Sequence, residues 1–255
     1  PTSMNHVRRM STRTCRIPAS LKPSKGLKLP IVAAPMFLAS NPKLVTACCK
    51  NGIIGTFPAL NQRTSEGYEE WLQEIKKINS ENDKKQPGTV APFGVNLIVH
   101  RSNPRLEADL KITVKHKVPL VITSLGAVQS LVDSVHSYGG VVFHDVINVR
   151  HAKKAASAGV DGLILVTAGA GGHAGLINAF ALVSEVRSFF KGTILLAGAV
   201  SKGSDVAAAR AMGADLAYVG TRFLATHEAS VDSKYKEMIV ESGSPDVTFT
   251  QEISG

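Results

Sequence analysis

The chain of 255 residues is poor in aromatic residues and cysteines, and it contains no long apolar run. A membrane-spanning helix needs about 20 consecutive apolar residues, so the sequence predicts a soluble protein without a membrane partner. Three cysteines cannot form a disulfide framework, and the adjacent Cys48 and Cys49 lack the spacing of metal ligands. No other motif resembles a metal cluster. We therefore expect a reducing, cytoplasmic location and no metal site.

Acidic residues are missing from the first 28 positions, which carry seven Lys and Arg residues. This segment contributes most of the formal charge of +9. We predict that residues 1–28 form a flexible basic arm, a tag or a targeting remnant, ahead of one domain at 29–255. The arm lacks the hydrophobic centre of a secretory signal, but its composition would suit a transit peptide into the mitochondrial matrix. Aromatic residues are not interleaved with its basic residues, so no nucleic-acid partner is predicted.

Eight short apolar runs alternate with amphipathic segments along the rest of the chain. The runs, typical of buried parallel strands, lie at 30–36, 52–58, 93–99, 119–125, 141–146, 162–167, 193–200 and 216–221. Helical periodicity and capping residues mark the segments at 42–51, 65–80, 104–117, 127–138, 149–158, 178–190 and 203–212. The polar stretch at 79–88 is predicted to be an exposed loop. This alternation predicts an α/β fold, a (β/α)8 TIM barrel, with an open doubly wound sheet as the alternative.

Active sites of such barrels lie at the carboxyl ends of the strands. Small residues follow the last two apolar runs, at Gly198, Ala199, Gly220 and Thr221. Short side chains let backbone N–H groups approach an anion, and two such loops would be neighbours in the barrel. They predict a phosphate site, whereas the alternative is that the glycines only make tight turns.

The loop after the sixth run, TAGAGGHAG at 167–175, surrounds one imidazole with glycine and alanine. Such a loop can lie flat against a planar ligand, and His173 is then a candidate base, since imidazole titrates near neutral pH. A structural role for His173 is equally open. Asn96 could donate to a ligand or tie down a loop, and His144 and Asp145 could pair or point in opposite directions. The residue order of Ser/His/Asp hydrolases is absent.

Five motifs occur in one order along the chain: APM (34–36), GVN (94–96), AGAGGHAG (168–175), LAGAV (196–200) and GTRF (220–223). With these motifs the chain resembles the nitronate monooxygenases, formerly called 2-nitropropane dioxygenases, over most of its length. The same barrel also serves flavin-dependent enoyl-acyl-carrier-protein reductases and NADH:quinone reductases. The motifs therefore point to the cofactor more strongly than to the substrate.

The resemblance implies non-covalent FMN, a small-molecule substrate and O2, and oxidation of alkyl nitronates to carbonyl compounds and nitrite. The residues that it places around the cofactor are Ala34, Pro35, Met36, Asn96, Ser124, Asp145, Gly171, Gly172, Ala197, Gly198, Ala199, Gly220 and Thr221. His173 would be the catalytic imidazole, which removes a proton from a nitroalkane or, when protonated, orients a nitronate. A homo-oligomer is compatible with the sequence.

Two positions depart from the pattern of many relatives. Ala170 stands where they have an acidic residue, and Asp145 stands where they have a lysine near the flavin. Relatives also continue beyond the last segment here, so the barrel at 29–255 is expected to stop short of residues that close the pocket. Two alternatives therefore stay open: an NAD(P)H-dependent flavin reductase acting on quinones or enoyl thioesters, and a flavin-free barrel that binds a sugar phosphate.

Overall fold

A computed structural model describes residues 16–126, 128–250 and 252 of the chain. Its strands lie at Ile31–Ala33 (β1), Ile54–Pro58 (β2), Phe93–Ile98 (β3), Leu120–Ser124 (β4), Val141–Val146 (β5), Gly162–Val166 (β6), Thr193–Ala197 (β7) and Leu216–Val219 (β8). Each strand pairs in parallel with the next, and β8 pairs with β1, which closes the sheet. The predicted TIM barrel is confirmed, and the open sheet is wrong.

The described α-helices cover the outside of the barrel. They lie at Pro42–Lys50 (α1), Ser65–Lys85 (α2), Leu106–Lys115 (α3), Gln129–His136 (α4), Val149–Ser157 (α5), Ala179–Phe189 (α6), Gly203–Met212 (α7), Thr221–Leu224 (α8) and Ser233–Glu241 (α9). In this part of the chain, no helix is long and apolar enough to cross a membrane. The side chain of Asn41 caps α1 by accepting a hydrogen bond from the N–H of Leu44 at 2.9 Å.

The stretch at 79–88 is not a loop throughout, because α2 continues to Lys85. Leu72 and Ile75 are fully buried and anchor the first half of the helix. Charged residues such as Glu and Lys are good helix formers, so the helix extends along the surface without an apolar face of its own. The predicted loop is wrong for residues 79–85, because polar residues with a high helix propensity can extend a helix.

Alternate residues of the strands form two separate apolar layers. One layer fills the barrel interior with Val32, Ile54, Leu120, Ile122, Val141, Phe143, Ile164, Leu195 and Leu216. The other layer packs between the strands and the helices and includes Val95, Val121, Val142 and Leu163. A barrel interior filled in this way is a solid core, so a ligand can be bound only above it, at the strand ends.

The amino-terminal segment at 16–28 belongs to the folded barrel. Ile17 and Leu21 are buried and pack with the interior layer, and a 3-10 helix runs over Ala19–Leu21. The carbonyl of Arg16 accepts a hydrogen bond from Thr193 Oγ1 at 2.7 Å, at the start of β7. The predicted flexible arm is therefore wrong for residues 16–28, whose apolar side chains close the bottom of the barrel. The prediction for residues 1–15 lies outside the described residues.

Candidate active site

The loop after β1 carries Ala34, Pro35 and Met36, and its N–H groups already have partners in the protein. The N–H of Ala34 donates to the carbonyl of Val219 at 2.8 Å. The N–H of Met36 donates to Ser40 Oγ at 3.0 Å, and proline has no N–H. This segment therefore cannot donate to a ligand from its backbone as it stands, although it can line one.

Asn61, which the sequence analysis missed, shapes the same loop. Its Nδ2 donates to the carbonyls of Met36 at 3.0 Å and Ser40 at 2.7 Å. Its Oδ1 accepts from the N–H of Leu38 at 2.9 Å, and Leu38 has a positive φ of 59°. These three hydrogen bonds hold a strained conformation that a leucine rarely adopts.

Thr167 joins the end of β6 to the end of β7. Its N–H and its Oγ1 both donate to the carbonyl of Ala197, at 2.9 and 2.8 Å. The next residue, Gly198, has a φ of 137°, and a Cβ at this position would collide with Thr167 Oγ1. The close contact explains why β7 is followed by glycine, and it leaves Ala197 buried beneath the loop.

The loops after β6, β7 and β8 lie against one another. The N–H of Ala199, on the β7 loop, donates to the carbonyl of Gly169, on the β6 loop, at 2.9 Å. A Cβ on Gly171 would lie 2.7 Å from Thr221 Oγ1, on the β8 loop. The structure thus brings together the small-residue loops that the sequence analysis singled out.

Backbone N–H groups at this point differ in whether they are free to bind an anion. Within the described residues, the N–H groups of Gly198, Gly220 and Thr221 have no acceptor. The N–H of Ala199, by contrast, is committed to Gly169. Three of the four N–H groups predicted to bind phosphate are therefore available, and Ala199 contributes only its small size and its positive φ of 52°.

A chain of hydrogen bonds crosses the floor of the mouth from β3 to β5. Asn96 Nδ2 donates to Ser124 Oγ at 2.8 Å and to the carbonyl of Ile122 at 3.2 Å. Ser124 Oγ in turn donates to Asp145 Oδ2 at 2.6 Å. Both amide hydrogens of Asn96 therefore bond within the protein. Of the two roles open to Asn96, its amide hydrogens have the one that ties down neighbouring residues.

Asp145 lies at the end of β5, with its carboxyl group facing the mouth of the barrel. Burial raises its pKa to about 6, although the hydrogen bond from Ser124 and the charge of His173 oppose this rise. Tyr218 on β8, which the sequence analysis did not identify, faces the same space, and burial together with the charge of Asp145 raises its pKa. Its place two residues before Gly220, on the inward face of β8, was the available signal.

His144 points away from Asp145, as neighbours on a strand do. Its Nδ1 lies 2.7 Å from Thr123 Oγ1, and its side chain is buried between the barrel and the helices. Burial lowers its pKa to about 4, and the charges of His151 and Lys154 add to this effect. Of the two arrangements open from the sequence, the structure therefore has the one in which His144 and Asp145 do not pair.

His173 lies on the loop after β6, where it is exposed together with Gly171 and Gly172. Gly172 has a positive φ of 71°, and there is open space where its Cβ would be. Large apolar side chains are also exposed around the same end of the barrel, at Phe37, Leu38, Leu125, Ile147, Leu176 and Phe180. An apolar rim above a few polar groups is typical of a small-molecule site.

Residues 105–255, more than half of the chain, match the sequence profile of the nitronate monooxygenase family. The chain belongs to this family. The resemblance found from the five motifs is thereby confirmed, and the family consists of flavin-dependent oxidoreductases.

Individual members and neighbours of the nitronate monooxygenase family differ in activity. The chain is 30% identical over 230 residues to (3aS,4S,5R,7aS)-5-hydroxy-7a-methyl-1-oxo-octahydro-1H-indene-4-carboxyl-CoA dehydrogenase of Rhodococcus jostii, covering 90% of this chain and 62% of that protein. It is 25% identical over 282 residues to a nitronate monooxygenase of Paraburkholderia phytofirmans, covering 92% and 74%. The solved structure of FabK from Thermotoga maritima is similar with a TM-score of 0.77 and 28% identity, covering 91% and 69%. The chain thus spans about three fifths of the Rhodococcus relative.

Proposed function

We propose that the chain is the barrel of an FMN-dependent oxidoreductase of the nitronate monooxygenase type. It would oxidise alkyl nitronates with O2 to carbonyl compounds and nitrite. The observation that carries the proposal is that the loops after β6, β7 and β8 contact one another and carry N–H groups without an acceptor among the described residues. Family membership supports a flavin, and the backbone donors support the phosphate that FMN has.

The described residues fit FMN at two points. Gly198, Gly220 and Thr221 offer N–H groups without acceptors, which suit the phosphate. Gly171 and Gly172 are exposed and have no side chain, so a planar ring can approach the loop. We propose that Ala34, Pro35 and Met36 line the opposite side of the ring by van der Waals contact, since their N–H groups are not available.

The floor of the mouth would hold the polar edge of FMN. Asn96 and Ser124 present a fixed hydrogen-bonded pair beneath this edge, with Asp145 beside them. Ala197 stays buried and supports the loop that carries Gly198. When bound, FMN would supply the electron transfer and the reaction with O2, while the protein orients the substrate.

We propose His173 as the catalytic imidazole. Its exposure on the β6 loop and the interaction of its charge with Asp145 support a position near the mouth. In its neutral form it can take the α-proton of a nitroalkane, and in its protonated form it can attract a nitronate. Which of these roles dominates depends on the charge that the substrate carries.

The proposal is tested by releasing and identifying the cofactor. Purified chain, reconstituted with FMN where needed, should be yellow, and heat denaturation should release FMN in a ratio near one per chain. Addition of ethyl nitronate in air should consume O2 and form nitrite. A colourless chain that cannot be reconstituted with FMN contradicts the proposal, and a yellow chain that forms no nitrite limits it to the cofactor.

A second candidate is favoured by the relatives. The Rhodococcus relative is named a carboxyl-CoA dehydrogenase, and FabK is a structural neighbour at 28% identity. The name of the Rhodococcus relative favours action on a CoA thioester, in line with the alternative of an NAD(P)H-dependent flavin reductase acting on quinones or enoyl thioesters. Rapid bleaching of the flavin by NADH under anaerobic conditions, without a response to nitronate, would select this candidate.

A further inference from the structure

One wall of the mouth carries a carboxyl group that is paired with neither lysine nor arginine in the part of the chain that the structure describes. Among residues 16–126, 128–250 and 252, no Lys or Arg nitrogen lies within 4.0 Å of the carboxylate of Asp145. The groups that face it are Ser124 from β4, Tyr218 from β8 and His173 from the β6 loop. The charge of His173 lowers the pKa of Asp145, but solvent weakens this interaction because His173 is exposed.

The hydrogen bonds beside the ionised form of Asp145 have one consistent direction. The carbonyl of Ile122 can only accept, so the atom of Asn96 that lies 3.2 Å from it must be the amide nitrogen. The same nitrogen donates to Ser124 Oγ, and the single hydroxyl proton of Ser124 is left for Asp145. The floor of the mouth therefore orients the carboxyl group, and the hydrogen bond from Ser124 favours the ionised form against the larger, opposite effect of burial.

We infer that Asp145 is a specificity-determining residue, whose carboxylate, once ionised, disfavours anionic substrates relative to neutral carbon acids and so slows the oxidation of nitronates. The inference rests on the proposed function, since a nitronate is an anion and the corresponding nitroalkane is its neutral conjugate acid. A negative charge in a partly desolvated wall repels an anion far more strongly than it would in water. A protonated His173 would act in the opposite sense.

The pH at which this selection begins follows from the surroundings of the carboxyl group. Burial raises the pKa of Asp145 to about 6, so the group is mostly neutral at pH 5 and ionised at pH 8. Repulsion of an anion should therefore be weak at pH 5 and strong at pH 8. A neutral substrate should be affected little at either pH.

The test compares two substrates in the FMN-loaded chain. The quantity measured is kcat/KM for ethyl nitronate divided by kcat/KM for freshly dissolved nitroethane, at pH 5 and at pH 8. Asp145→Asn keeps an acceptor for Ser124 but removes the charge, and it should raise this ratio about tenfold at pH 8 and less than twofold at pH 5. Comparing variant and wild type at one pH removes the part of the His173 contribution that does not depend on Asp145.

Asp133→Asn is the matched control, because Asp133 is an exposed carboxylate on α4, away from the mouth. This variant loses one negative charge, as Asp145→Asn does, and it should leave the ratio unchanged. A readout that does not depend on turnover is the carbon-13 chemical shift of the Asp145 carboxyl group in labelled protein. It should titrate near pH 6, and Ser124→Ala should raise the midpoint because the ionised form loses its donor.

The outcomes separate the inference from the proposed function. Turnover of both substrates with a ratio that Asp145→Asn leaves unchanged at pH 8 contradicts the inference alone. An equal change at pH 5 and pH 8, or an equal change in Asp133→Asn, also contradicts it. A chain that oxidises neither substrate contradicts the proposed function, and the inference fails with it.

Discussion

Two titratable side chains at the end of β5 should affect stability in opposite directions as the pH changes. Burial raises the pKa of Asp145 from 3.8 to about 6, and it lowers the pKa of His144 from 6.5 to about 4. At 1.36 kcal/mol per pKa unit, each difference corresponds to about 3 kcal/mol in the free energy of unfolding, as an upper limit. The contribution of Asp145 to the free energy of unfolding is fully present below pH 3.8 and is lost as the pH rises through 6. The contribution of His144 is present above pH 6.5 and is lost as the pH falls through 4.

The two effects nearly cancel in the wild-type chain, so single variants are needed to reveal them. Urea unfolding between pH 4 and 7 measures the difference in free energy between each variant and the wild type. Asp145→Asn should be more stable than wild type by up to about 3 kcal/mol at pH 7, and this gain should vanish near pH 4. The free energy of unfolding of His144→Gln, relative to that of the wild type, should rise by a similar amount as the pH falls from 7 to 4. Differences that stay constant with pH would refute the reasoning.

Two further predictions concern packing. Leu21→Ala should lower the free energy of unfolding by about 3 kcal/mol, because Leu21 is fully buried in the barrel interior, whereas Leu29→Ala at a half-exposed position should cost less than about 1 kcal/mol. Equal effects in a urea titration would show that the segment at 16–28 is not part of the core. Gly171→Val should weaken FMN binding about tenfold in a fluorescence titration, because its Cβ would crowd Thr221 Oγ1. Gly203→Ala, which has open space around its Cβ, is the control, and an equal loss there would contradict the role of this contact.

The sequence predicts the barrel well because the barrel depends on patterns along the chain. Eight apolar runs and the capping residues between them are local features, and all eight strands fall within the predicted runs. The segment at 16–28 was misjudged because its charge hides two apolar side chains, Ile17 and Leu21. These are buried only after distant strands have formed the interior layer.

The sequence predicts which loops of the site are neighbours, but it does not predict the hydrogen-bond partners of the individual groups in them. The neighbouring loops at Gly198 and Gly220 follow from strand order, and the structure places them side by side with the β6 loop. Which N–H groups are free depends on acceptors far along the chain: Ala199 donates to a carbonyl 30 residues away, at Gly169. The partners of Asn96 and the position of Tyr218 likewise depend on the inward face of the closed barrel, which no single segment reveals.

The central claim is that this barrel binds FMN and uses it to oxidise a small carbon acid. The most direct measurement is an anaerobic titration of the visible flavin spectrum with ethyl nitronate and, separately, with NADH. At pH 5, where Asp145 is mostly neutral, the nitronate should bleach the flavin rapidly, and the yellow colour should return when O2 is admitted, with nitrite as a product. Bleaching by NADH alone would contradict the nitronate monooxygenase assignment, and a chain that binds no flavin would contradict the account as a whole.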